Sequence, residues 1–202
     1  MAATAEPLIL ASASTARARM LEAAGVVFTI EPAAIDEARI KAAAREAGHT
    51  AIACALELAT EKARAVSQRH PDSLVIGADQ ILVADSEWFD KPHDHGEVRA
   101  QLQALRGRGH ALATAVCVMR GGEPLWHATS MPELTMRRFT DAFLDRYIAE
   151  EGEALTASVG AYRLEGRGVQ LFARISGDHF AVLGMPLLKL FDFLRDRGAL
   201  LT

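Results

Sequence analysis

Two cysteines, 6% aromatic residues and no surplus of positive charge are what this chain has least of, and each shortage removes a class of function. Cys54 and Cys117 lie far apart in apolar surroundings, which suits buried reduced thiols and excludes a disulfide framework or a C-x-x-C redox pair. With 22 Lys and Arg against 26 Asp and Glu, the net charge is −4. No general basic surface is available for nucleic acid or an anionic membrane, and the few aromatics offer no platform for stacking bases along a strand. No apolar run is long enough for a membrane span. The apolar stretch Leu8–Ala11 follows Glu6 and Pro7 with no basic segment before it, unlike a signal peptide, so the expected location is cytoplasmic. Also missing are a G-x-x-x-x-G-K-[ST] phosphate loop, a G-x-S-x-G elbow, an H-E-x-x-H zinc motif and a G-x-G-x-x-G turn after a strand. Phosphate-loop NTPases, serine hydrolases, zinc proteases and dinucleotide oxidoreductases all lose ground.

What is present reads as one domain over residues 1–202, with room for two lobes. The pattern predicts a strand at Leu8–Ala11, a helix at Ala16–Ala24 closed by Gly25, and a strand at Val26–Ile30. A loop over Pro32–Glu37 follows, then helices Arg39–Ala47 and Ala51–Val66 interrupted at Gly48. After a central strand from Leu74 come a loop at Trp88–His95, a helix at Gly96–Arg106 and a strand at His110–Met119, which turns at Gly121 and Gly122 into Pro124–Thr129. Further strands are expected at Glu133–Phe139, Ser158–Leu164 and Val169–Ile175, with helices at Asp141–Glu150, capped by Thr140, and Leu187–Arg197, ended by Gly198. Helices alternate with strands early and hairpins come late, so the fold class is α/β with a mixed sheet flanked by helices. There is no internal repeat or low-complexity tract.

The central stretch is LVIGADQILVAD, Leu74–Asp85, a strand apolar enough to be buried on both faces that carries Asp79 and Gln80 in its middle. A buried carboxylate needs a cation, hydrogen bonds or a metal, so Asp79 faces either a polar cleft or a cationic partner. The alternative is a strand-end Asp capping a turn, and the residues alone leave both open. Ser12–Thr15 between the first strand and helix aim backbone N–H groups at whatever lies over the strand end, with Arg17 and Arg19 nearby; the plainer reading is a Ser N-cap. Lys62 falls on an otherwise apolar helix stripe, where a snorkelling surface lysine is the ordinary expectation. His93 and His95 flank Asp94, a weak metal signal. The acids Glu37 and Asp79 and the cations Arg17, Lys62 and Lys91, each at a loop or the edge of an apolar element, suit a magnesium-assisted reaction on a polyphosphate.

These residues lie within longer motifs: ASASTARARML, Asp36-Glu37, LATEKA, VIGADQ, Lys91-Pro92, Leu102 to His110 leading into Thr114-Ala115-Val116, VGAYRLEGRG, and ISGD followed by GMPL. Their order and spacing resemble the Maf family of nucleotide pyrophosphatases over nearly the whole chain. The resemblance implies a mixed sheet, with two lobes and a cleft between them, in an enzyme that hydrolyses nucleoside triphosphates to monophosphate and pyrophosphate with a divalent metal. Ser12, Arg17, Glu37, Lys62, Asp79 and Lys91 match its active-site positions, Asp79 at the place of the proton acceptor. Ser14, Arg19 and Gln80 join Ser12 and Arg17 as candidate substrate-binding residues. In this reading Asp79 and Glu37 hold Mg²⁺ or Mn²⁺, because a carboxylate with the ordinary Asp pKa of about 3.9 is a poor base at neutral pH but a good ligand and water-orienting group.

Two positions depart from the pattern. The family's opening motif reads S-x-S-P-R-R, whereas Thr15 and Ala16 stand here for the proline and the first arginine, leaving Arg19 to substitute from one turn along. Gln80 stands where members preferring dTTP or UTP carry Thr, and resembles members acting on 7-methyl-GTP. The implied partner is a nucleoside triphosphate, with no nucleic acid and no membrane, and a homodimer is the candidate assembly. The competing readings are a dTTP/UTP pyrophosphatase of the same family and a non-catalytic nucleotide-binding regulator.

Overall fold

A computed structural model describes residues 6–201. Eight strands form a mixed sheet: β1 (Leu8–Leu10), β2 (Thr29–Ile30), β3 (Leu74–Ala84), β4 (Glu87–Phe89), β5 (Gly109–Arg120), β6 (Glu123–Ser130), β7 (Glu133–Met136) and β8 (Phe172–Ser176). Their order is β2-β1-β3-β5-β7-β8, with β4 also on β3 and β6 on β5. Seven helices flank it: α1 (Thr15–Ala23), α2 (Glu37–Glu46), α3 (Ala51–Ser67), α4 (His95–Leu105), α5 (Asp141–Glu151), α6 (His179–Val182) and α7 (Leu187–Asp196). The chain divides into two compact units. The first holds residues up to 80, 114–130 and from 178 onward; the second holds 81–113 and 131–177.

In the first unit β2, β1 and β3 run parallel, Leu10 opposite Ile76 and Ile30, and β6 lies antiparallel on the second half of β5. Strand alternation sorts β3 between two sets of neighbours. Leu74, Ile76 and Ala78 join α1 and α7 in one apolar core with Leu10, Leu21, Val118, Leu190 and Leu194. Gly77, on the other parity, meets α3: a methyl group there would come within 2.0 Å of the Ala59 carbonyl oxygen and 2.7 Å of the Ala63 nitrogen. Helix and strand touch backbone to backbone because a glycine faces two alanines. Cys54 and Cys117 are both buried, and burial pushes the Cys54 thiol up to about 11, as expected of inert thiols.

In the second unit the first residues of β5 pair with β7, and β7 with β8, all antiparallel. Three expectations fail here. Part of the expected loop Trp88–His95 is strand β4, paired to β3 through a hairpin in which Asp85 (φ 45°) and Ser86 (φ 71°) take the left-handed conformation of a type I′ turn, which the sequence disguises by having no glycine. Ser158–Leu164 is not a strand: its alternation is interrupted by left-handed Gly160 (φ 77°) and Ala161 (φ 56°), and a 3₁₀ turn runs Val159–Ala161. Val169–Ile175 is half right, since Arg167–Leu171 is 3₁₀ and the strand is Phe172–Ser176. In the first unit the strand expected at Val26–Ile30 shrinks to Thr29–Ile30, and the four-residue α6, capped by Asp178 through the Phe180 N–H, is too short to leave a periodic signal in the sequence.

Candidate active site

Strand β1 ends beside the middle of its parallel neighbour β3, and each strand delivers part of the site. Past the end of β1, the Ala11 N–H still donates to the Ile76 carbonyl, at 2.8 Å, so Ser12 emerges beside the Gly77–Asp79 segment of β3. In open α/β sheets ligands bind at this carboxyl end. Ser14 caps α1, its hydroxyl accepting from the Arg17 N–H at 3.4 Å, which confirms the plainer reading of that residue. Ser12 has another role: its hydroxyl accepts from the Arg17 Nη1 at 3.0 Å and from the Ser14 N–H at 3.3 Å. The Arg17 Nε donates to the Gly184 carbonyl at 2.8 Å. Two of five guanidinium donors are thus committed, and the orientation of the rest is fixed.

Asp79 shares the parity of Gly77 and so faces α3, where Lys62 meets it. The Lys62 ammonium lies 2.6 Å from Asp79 Oδ1 and 2.9 Å from Glu37 Oε1, with Lys62 and Asp79 8% and 6% exposed. This corrects the snorkelling expectation: Lys62 points inward and bridges two carboxylates. Glu37, half-exposed, is the first residue of α2, whose N-cap is Asp36, accepting from the Arg39 N–H at 2.9 Å. Burial lowers the pKa of Arg17, while the carboxylates of Asp79 and Glu37 act in the opposite direction. Arg17 and Lys62 balance Asp79 and Glu37, so two positive and two negative side chains form one electrically coupled group.

Gln80 leaves the other face of β3. Its amide nitrogen donates to the Thr114 hydroxyl at 2.9 Å and to the carbonyls of Ala181 and Val182 at 2.9 and 3.3 Å. Two backbone acceptors fix which end of the amide is nitrogen. Gln80 therefore spends its donor half inside the protein. Arg19 is exposed on α1, and Lys91 is exposed in the loop after β4, within the second unit. Asp94 caps α4 by accepting from the Glu97 N–H, and the His93 N–H donates to the Glu97 carboxylate, so the His93–His95 segment is a helix start. Sequence reasoning missed Thr114 and Gly184 as parts of this network. The TAV and GMPL segments contain both residues, but nothing in them shows that the two meet.

Among the described residues no group of three or more His, Cys, Asp or Glu side chains could hold a metal ion. No helix among them is long and apolar enough to cross a membrane.

Comparison with known proteins identifies the family. The Maf-like protein family matches residues 7–197. A Granulibacter bethesdensis protein named nucleoside triphosphate pyrophosphatase is 54% identical over 193 residues, covering 96% of this chain and 98% of its own. A Rhodospirillum rubrum protein of the same name is 48% identical over the full length of both. A Rhizobium johnstonii protein named 7-methyl-GTP pyrophosphatase is 46% identical over 96% of this chain and 97% of its own. The chain belongs to the Maf-like protein family.

Proposed function

We propose that this protein hydrolyses nucleoside triphosphates at the α–β phosphoanhydride, releasing a nucleoside monophosphate and pyrophosphate. The observation that carries this reading is the Glu37–Lys62–Asp79 bridge, with Lys62 and Asp79 buried, beside the Ser12–Arg17 pair at the carboxyl end of β1. Plain anion binding has no use for two carboxylates there, which disfavours a non-catalytic regulator. The names of the relatives support the same reaction.

A site with two positive and two negative groups cannot by itself neutralise a polyphosphate, so the substrate brings or shares a further cation. The donor set fits a divalent metal: Asp79 and Glu37 offer hard carboxylate oxygens, and two carboxylates completed by phosphate oxygens and water is the usual arrangement for Mg²⁺. Bound there, a metal supplies Lewis acidity toward the phosphates and an acidified water. The protein's own groups do the rest. Arg17, held by Ser12 and Gly184, turns its remaining donors toward phosphate oxygens. Asp79, anchored through Oδ1 by Lys62, keeps Oδ2 to accept a hydrogen bond that aims a water at the α-phosphorus; the attacking water's proton passes to solvent, and the departing pyrophosphate takes up the electron pair of the broken P–O bond. Lys62 keeps its contact with Asp79 and turns its charge from Glu37 toward phosphate as the substrate binds. Lys91 is included as a pyrophosphate-neutralising group on the family resemblance alone.

For the base, the reading favours a modified purine such as 7-methyl-GTP. With its nitrogen committed, Gln80 has only a carbonyl oxygen to offer, and an acceptor suits the N–H groups of a guanine edge. Two relatives carry the 7-methyl-GTP name, at 46% and 44% identity. The test is a panel of 7-methyl-GTP, GTP, UTP and dTTP assayed with and without Mg²⁺, with products identified, on wild type and Gln80→Thr. Orthophosphate and a diphosphate as products, or no turnover at all, reject the reaction. A preference for dTTP or UTP, or a selectivity unmoved in Gln80→Thr, rejects the base assignment.

A further inference from the structure

The hydrogen bonds of Thr114 and Gln80 do not end at α6; they continue to the guanidinium at the phosphate end of the site. Thr114 is fully buried on β5, and its hydroxyl donates to the Ala181 carbonyl at 3.0 Å while accepting from Gln80 at 2.9 Å. Gln80 donates to the same carbonyl and to that of Val182. The last turn of α6 is thereby tied to two neighbouring strands. Its exit is Gly184 at φ 109°, a conformation open to glycine and strained for other residues. The Gly184 carbonyl receives the Arg17 Nε at 2.8 Å, and a side chain at 184 would begin 3.3 Å from that nitrogen. The position of this carbonyl thus decides where the guanidinium of Arg17 points, and the position of the turn is decided by Thr114 and Gln80.

We infer that Thr114 is a positioning residue for Arg17, acting through the Ala181 carbonyl and the Gly184 turn to hold the guanidinium fork ready for phosphate. The inference rests on the phosphate-binding role given to Arg17 above. It separates two effects at neighbouring positions: Asp79 acts on the reacting water, whereas Thr114 acts on how tightly the polyphosphate is held. It also gives the buried hydroxyl a task beyond packing, because a fully apolar residue of the same shape would fill its space equally well. A valine in its place keeps the volume but leaves the Ala181 carbonyl and the Gln80 amide each short of a partner, so the turn loosens where it matters for Arg17.

The experiment combines kinetics, binding and spectroscopy on the full chain. In Thr114→Val, the KM for the triphosphate rises about three- to tenfold with kcat within about twofold, the size expected when one neutral hydrogen bond is lost. Thr114→Ser restores the wild-type KM. Thr114→Ala replaces the valine variant if that one does not fold, with the same expectation. In an Arg17→Lys background, which lacks the Nε–H held by Gly184, Thr114→Val adds less than twofold. The ¹⁵Nε–¹H signal of Arg17, resolved and slow to exchange in wild type, broadens or exchanges faster in Thr114→Val, and calorimetric binding of inorganic tripolyphosphate weakens in parallel. The signal and the tripolyphosphate titration decide the matter whether or not any nucleotide turns over, so failure of the proposed reaction is seen separately as absent pyrophosphate release. An unchanged Arg17 signal in Thr114→Val, a serine variant that behaves like the valine one, or additive effects in the Arg17→Lys background would overturn the inference.

Discussion

Both compact units bury polar side chains in their interiors, and they do so in opposite ways. In the first, buried charged side chains are held by charged and polar partners: Lys62 lies between Asp79 and Glu37, and Arg17 is fixed by the Ser12 hydroxyl and the Gly184 carbonyl. In the second, His110 is buried among rings, its Nε2 2.8 Å from the Tyr162 hydroxyl, with the Tyr162 and Phe172 rings centred 5.6 and 5.9 Å away. Its Nδ1 has no partner among the described residues. An ion pair can exchange one partner for a ligand of the same sign, and so it suits a binding site. A neutral imidazole walled in by aromatics has nothing to exchange, and burial drives its pKa down to about 4. Under the proposed function, the charged cluster of Arg17, Lys62, Asp79 and Glu37 is the group that meets substrate, whereas the neutral cluster around His110 only has to stay folded.

The sharpest way to break that contrast is Asp79→Asn. The amide keeps the shape but loses the charge that Lys62 and a hard cation require, so kcat is expected to fall on the order of 10² to 10⁴ with folding retained. A circular-dichroism melt beside the kinetic assay separates the two. Near-normal turnover would reduce the whole ion bridge to a structural feature. Gly77→Ala should come next. A methyl group there presses on the Ala59 carbonyl at 2.0 Å and cannot be relieved by a side-chain rotation, so α3 must shift away from β3 and carry Lys62 with it. The expected result is a stability loss of roughly 1–3 kcal/mol together with at least about a tenfold drop in kcat. Stability lost without activity would show that Lys62 and Asp79 tolerate a changed spacing.

In the second unit the contrast predicts a pH effect on stability alone. Below about pH 6.5 the unfolded chain protonates His110 while the folded chain resists until about pH 4, so protons favour unfolding and stability falls across that window. The effect is at most roughly 3 kcal/mol, and it is absent above pH 7, where both states are neutral. Melting temperatures of wild type and His110→Gln at pH 7 and pH 5 test it, since glutamine can keep the bond to Tyr162 without titrating. Equal losses on acidification in the two proteins would mean that other groups carry the acid sensitivity.

How much of this was legible beforehand differs between the units for a physical reason. In the first, the signals are periodic: the apolar run of β3, the alanine stripe of α3 and the Ser cap of α1 all fix their elements from local pattern. That Lys62 turns inward was not legible, because its reason is a glycine on another element fifteen positions later letting the helix come close. In the second unit the Asp85-Ser86 turn and the Gly160-Ala161 kink depend on left-handed backbone at non-glycine residues, which composition does not announce. Gly184 and Thr114 were visible as residues but not as partners, since their link to Arg17 spans the length of the chain.

The smallest expected effect concerns the arginine missing at position 16. Arg17 cannot fill that gap, because its Nε and one Nη1 proton are already committed to Gly184 and Ser12. Arg19 lies three residues beyond Ala16 and therefore on the same side of α1, and a helical side chain leans toward the N-terminus, where the phosphates are proposed to sit. It is exposed, however, so solvent and salt screen whatever it contributes. Arg19→Ala should raise the KM for the triphosphate several-fold with little change in kcat, and the difference from wild type should shrink as salt is raised from 50 to 300 mM, about a 2.4-fold shortening of the screening length. A buried, hydrogen-bonded group such as Arg17 would lose far more and would lose it at any ionic strength. If the KM of Arg19→Ala equals that of wild type at low salt, the helix N-terminus and Arg17 hold the phosphates unaided, and the substitution at Ala16 is a loss that this chain tolerates without repair.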